Sequence, residues 1–86
     1  MPEISPFFGI SIRLYYGEHL PPHFHAQCGE HEVVVDILTL TVFGGQMAPR
    51  AMGMVIEWAS LHREALLDSW QRAASRQSLH KVPPLE

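Results

Sequence analysis

The chain has a single cysteine, Cys28, so no disulfide can form within it, and its stability must come from packing, a bound metal or a second chain. It also lacks a long apolar run: nothing approaches the eighteen or so residues of a membrane-spanning helix. Met1-Pro2-Glu3 opens without the basic stretch and apolar core of a secretory leader, so a cytoplasmic protein with no membrane partner is expected. Positive charge is scarce as well. Residues 1–43 hold one arginine, Arg13, against five acidic residues, a balance of −4, and the whole chain carries −3. Without a basic stripe to displace counterions from phosphates, the charge does not favour a nucleic-acid partner. What remains is ordinary globular material: 86 residues, 47% apolar and 17% charged, enough for one domain with a small core.

Hydrophobic periodicity divides this domain into a sheet part over 1–45, a helix over 48–75 and an extended, partly ordered tail over 77–86. From Phe8 to Tyr16 apolar residues alternate, with Phe8, Ile10, Ile12 and Leu14 on one side, which predicts a half-buried strand. Gly17 and Pro21-Pro22 break it. Two further strands, His23 to Cys28 and His31 to Ile37, flank Gly29-Glu30, and Gly29 at the first loop position suits a type II′ hairpin turn.

That turn sets a register in which opposed residues sum to 59, placing His23 opposite Asp36 and His25 opposite Val34. Phe24, Ala26, Val33, Val35 and Ile37 then share a core face, with Cys28 on the same side. His23, His25, Gln27, Glu32, Val34 and Asp36 share the other, where Arg13 and Tyr15 join them if the first strand pairs with its apolar side inward. Thr39 to Phe43 could add a short fourth strand ended by Gly44-Gly45, although Leu38-Thr39 is a poor turn sequence.

From Ala48 the period becomes helical. Met52, Val55, Ile56, Ala59, Arg63, Leu66, Leu67 and Trp70 form one stripe, and Ala51, Met54, Trp58, Leu61 and Ala65 a second. Continuous from Pro49 to about Ser75, this helix would be roughly 40 Å long, so its far end must overhang, bend near Ser60-Leu61 or pack on another chain. Gly53 within it points to close approach by a neighbouring element. The predicted class is therefore α+β: a three- or four-stranded antiparallel sheet covered on one face by a long C-terminal helix.

Chemistry is concentrated in His19, His23 and His25. Histidines two apart on a strand project from one face and can reach a single ion. His19, on the proline-bent loop, would supply the third ligand for a divalent metal such as zinc, with a position left open for water. Without a metal, Asp36 could orient His23, His25 could act as acid or base, Arg13 could hold a phosphate and Tyr15 could donate to it, a set suited to phosphodiester cleavage. The third reading is preferred: Val34, ringed by histidine, tyrosine and arginine, resembles the centre of a protein interface more than a catalytic floor. On the helix, Glu57, Trp58, His62, Arg63 and Glu64 are too dispersed for a site, and Trp58 reads as core.

Several segments together carry a family resemblance: Pro2-Glu3-Ile4-Ser5, Phe7-Phe8-Gly9, Ile12-Arg13-Leu14-Tyr15-Tyr16, above all His19-x-Pro21-Pro22-His23-Phe24-His25, then Val35-Asp36-Ile37 and Glu57-Trp58-Ala59-x-Leu61-His62-Arg63-Glu64. The chain resembles, nearly end to end, a widespread family of short bacterial proteins known by a domain-of-unknown-function label. It departs from the family pattern at Pro6, where arginine is frequent, and at Leu38, where a polar turn residue is usual. The resemblance implies a place beside another small protein in a toxin–antitoxin-like gene pair, with Arg13, His19, His23, His25 and Asp36 as matching positions. The expected function is a small interaction protein that binds a small protein partner or forms a homodimer; the alternative is a histidine-based nuclease or other hydrolase, with or without a divalent metal.

Overall fold

Five strands and two helices make up the computed structural model, which describes residues 3–86. Met1 and Pro2, where the reading of a missing leader and the first family segment begin, lie outside the described residues. The strands β1 (Glu3–Phe7), β2 (Ile10–Arg13), β3 (His23–Cys28), β4 (His31–Asp36) and β5 (Val42–Gly45) form one antiparallel meander in the order β1-β2-β3-β4-β5. The class is α+β, as predicted, but with five strands where three or four were expected.

The β3–β4 hairpin pairs as the turn dictates. All six pairs from Cys28–His31 to His23–Asp36 follow the expected register, and Phe24, Ala26, Val33, Val35 and Ile37 are fully buried. Gly29 has φ +62° and Glu30 does not share the positive φ, which is the type II′ pattern. Cys28 packs against this core, as its position on the strand requires.

The first expected strand is corrected at both ends. Phe8 and Gly9 have φ of 47° and 77° and form the turn of a β1–β2 hairpin, so Phe8 is exposed while Ile10, Ile12 and Leu14 point inward. The added strand, β1, contains Pro6, a residue that argues against a strand in sequence. On an edge strand, however, its missing donor can face away from the partner. At the other end of the sheet, β5 starts later than expected because Asp36 organises the preceding turn, and it runs through both glycines that were expected to end it.

The expected single helix is two. α1 (Pro49–Leu61) starts with proline in its first turn, and α2 (Arg63–Ala74) follows a break at His62, where φ −126° and ψ 28° leave the helical region. Ser60 Oγ donates to the Glu57 carbonyl at 2.7 Å just before the break, a side-chain competitor for the helix ladder. At 1.5 Å per residue, α1 is about 20 Å long, which removes the overhang that a 40 Å rod would produce. The buried faces are Ala51, Val55, Trp58 and Ala59 on α1, then Leu66, Ser69, Trp70 and Ala73 on α2. They draw on both expected stripes, and Leu61 and Arg63 are exposed.

Two further expectations change. Residues 77–86 are extended but docked: Val82 is buried and its N–H donates to the Ile4 carbonyl at 2.8 Å, Pro83 accepts from Trp58 Nε1 at 2.8 Å, and Lys81 Nζ donates to the Glu3 carbonyl at 3.0 Å. Gly53 is exposed, and a Cβ added there would meet nothing within 4 Å, so no element approaches it closely. Gly53→Ala is therefore expected to stabilise the fold by about 1 kcal/mol, the helix-propensity difference, measured as a higher urea midpoint at unchanged slope.

Candidate functional site

Alternation along β3 puts His23 and His25 on one face of the strand, and β2 pairs Arg13 with His25 beside them. Tyr15 reaches the same place: its ring meets the His25 ring edge-on at 4.6 Å between centroids. The two imidazoles are 5.4 Å apart, centroid to centroid. So far the arrangement matches the one expected from the register.

The third member differs. Glu18, in the loop between β2 and β3, places Oε1 2.9 Å from His25 Nε2 and Oε2 3.6 Å from His23 Nε2. Among the described residues, Glu18, His23 and His25 form a group in which one ligand atom from each lies within 4.8 Å of the others. His19, the expected third ligand, is exposed and outside this group, because the chain between Gly17 and Pro21 turns Glu18 inward and the next residue away. The relevant signal was one residue off: an acidic neighbour of His19 in the same loop.

Asp36 is opposite His23 in the backbone register but does not bond to it. Its Oδ1 accepts from the N–H groups of Leu38 at 2.7 Å and Thr39 at 3.0 Å, closing the β4–β5 turn in which Leu40 takes φ +59°. This explains how Leu38-Thr39 turns without turn residues of its own, and it removes Asp36 as the group that orients His23. That role belongs to the Pro21 carbonyl, which accepts from His23 Nδ1 at 2.8 Å. Because a carbonyl only accepts, the Nδ1 hydrogen is assigned and Nε2 is directed to Glu18. Arg13 Nε donates to Ser11 Oγ at 3.0 Å, and Ser11 Oγ donates in turn to Glu3, so this end of the guanidinium is drawn toward β1 and away from the histidines.

Burial also separates the two rings. His23 is 7% exposed, covered by Trp70 of α2 with centroids 5.0 Å apart and by Phe43 of β5 at 5.7 Å. The expected open sheet face is thus closed over His23, since the break at His62 lets α2 carry Trp70 to it. His25 keeps 17% side-chain exposure, and its buried Nδ1 has no hydrogen-bond partner, with Glu32 Oε2 3.6 Å away. Val34, the expected interface centre, is half-buried opposite Gly44.

Fold and cluster together define a small α+β protein with a histidine–carboxylate site at one end of a five-stranded sheet. Residues 9–71 match the model of a domain of unknown function, DUF4160, and the chain belongs to that family. The matched segment includes Glu18, His23, His25 and Glu32. No curated protein and no solved structure matches the chain. No helix is long and apolar enough to cross a membrane.

Proposed function

We propose that this protein is the partner-binding component of a two-protein, toxin–antitoxin-like module, and that the sheet end carrying His23 and His25 receives a partner segment with an apolar centre and basic flanks. The observation that supports this reading is a set of three exposed apolar side chains on the strand, loop and turn next to the cluster. Leu20 is 76% exposed, Leu38 53% and Phe43 51%. They belong together because Ile37 N–H donates to the Pro22 carbonyl at 2.9 Å, joining the Leu20 loop to the β4–β5 turn, while the Phe43 ring lies against His23. Grouped apolar exposure of this kind marks contact surfaces, whereas isolated exposed residues are ordinary.

Charge selects the partner. Glu18 and Glu32 border the cluster, and the first 43 residues carry a balance of −4, so a basic segment is complementary and a phosphate backbone is not. The nuclease alternative has weaker support, because Asp36 and the Nε end of Arg13 are committed to the turn and to Ser11.

The test uses the purified chain with the purified product of its neighbouring gene. A one-to-one complex is expected by light scattering. Leu20→Asp and Phe43→Asp, each checked for an intact fold by circular dichroism, are expected to raise Kd by about 30-fold or more, as for a truncated interface anchor. A chain that stays monomeric and fails to bind this protein, or variants that bind as the parent does, would overturn the reading.

A further inference from the structure

We infer that Glu18, His23 and His25 form a binding site for one divalent transition-metal ion, for which zinc is the probe. The hydrogen positions lead there. With Nδ1–H given to the Pro21 carbonyl, a neutral His23 has its lone pair on Nε2, facing Glu18 Oε2 at 3.6 Å, acceptor against acceptor. A neutral His25 that donates from Nε2 to Glu18 Oε1 has its own lone pair on Nδ1. That atom is buried and unpartnered, and it faces a second carboxylate, Glu32, at 3.6 Å. Two acceptor oppositions therefore stand in the neutral site, and either a second ring proton on each histidine or one bound cation relieves them.

A single cation between the Nε2 atoms and Glu18 removes both. It takes the His23 lone pair and the Glu18 charge, and it moves the His25 hydrogen to Nδ1, where it points at Glu32. Each ring then coordinates through one nitrogen and donates from the other to a carbonyl or carboxylate, the outer arrangement that orients metal-ligating histidines. In a tetrahedral zinc site with bonds of about 2.0–2.1 Å, ligand atoms are about 3.3 Å apart. The group already lies within 4.8 Å. Glu18, on a loop with its side chain 29% exposed, already has oxygens 2.9 Å from His25 Nε2 and 3.6 Å from His23 Nε2, close to that spacing. Two imidazoles and one carboxylate suit zinc, cobalt or nickel, whereas magnesium and calcium prefer oxygen alone. Three protein ligands leave one position open.

The inference stands apart from the partner reading, because the isolated chain suffices to test it. Chelator-treated full-length protein is titrated with zinc by calorimetry, and its Tm is followed. One zinc per chain is expected, with a Tm rise of about 10 °C or more at a hundredfold excess over Kd, and millimolar magnesium should not displace it. Glu18→Gln and His25→Gln should each weaken binding by about 10-fold or more, and Glu32→Gln by a similar factor through the outer contact. His19→Ala should bind as the parent does. His23 is left unaltered because it packs against Trp70 and its replacement would disturb the fold; circular dichroism checks the other variants. Absence of zinc uptake by the parent overturns the inference. So does parent-like binding by Glu18→Gln and His25→Gln, which would put the ion elsewhere, or a loss in His19→Ala equal to that in Glu18→Gln.

Discussion

Trp58→Ala is expected to remove a large share of the stability of this protein. Trp58 is the largest of the fully buried side chains. Its ring meets Phe7 at 5.5 Å, Phe24 at 5.9 Å and His62 at 5.5 Å, so it joins β1, β3 and the helix break, and its Nε1 donates to Pro83 in the C-terminal segment. Replacing a buried tryptophan by alanine costs about 3–5 kcal/mol. For 86 residues, at about 0.05–0.15 kcal/mol each, total stability is roughly 4–13 kcal/mol, so the loss is a large share of it. Urea denaturation should show a midpoint lowered by about a quarter or more, falling to zero where the parent's stability is at the low end of that range. Trp58→Phe retains most of the packing and gives up the hydrogen bond, so it should fall between the two. A loss below about 1 kcal/mol in the alanine variant would mean that the indole is not packed as described.

Gly45→Ala is the second large effect. Gly45 has φ +77°, and a Cβ there would be 1.9 Å from the Glu32 carbonyl oxygen and 3.2 Å from the Val33 Cα. Those atoms are backbone within β4, so relief requires the strands to separate. With the left-handed backbone strain added, a loss of about 3 kcal/mol or more is expected from the urea midpoint. The adjacent Gly44→Ala is the control: its Cβ would meet Val34 Cγ2 at 3.4 Å, an ordinary contact, and its effect should stay within about 1 kcal/mol. Equal effects at the two positions would contradict the β4–β5 register.

The contrast between these glycines shows what was legible in the sequence. Gly29 announced a tight turn, and a tight turn fixes the alternation of both strands, so the core face of β3 and β4 and the juxtaposition of His23, His25, Arg13 and Tyr15 followed from local pattern. Gly45 read as punctuation, since its close approach to Glu32 exists only once β5 has docked. Glu18 was overlooked for a similar reason: its position depends on the path of a loop that has no periodicity. Asp36 was assigned to the wrong partner because strand register places Cα atoms, whereas its short side chain reaches nearby N–H groups before a ring across the ladder. The break at His62 carries neither glycine nor proline, and the apolar period continues through it, so only the excess length of a roughly 40 Å helix points to a bend near Ser60-Leu61, as one of three alternatives. β1 was hidden by Pro6.

The docked tail also bears on how copies of this chain can associate. By bonding Val82 to Ile4 and Lys81 to Glu3, it shields the outer margin of β1, so a second molecule adding there must first peel it off. The margin at β5 is the one left for strand addition among the described residues. Copies that joined through that one margin would meet as twofold pairs and then stop, with no edge left to extend a fibre.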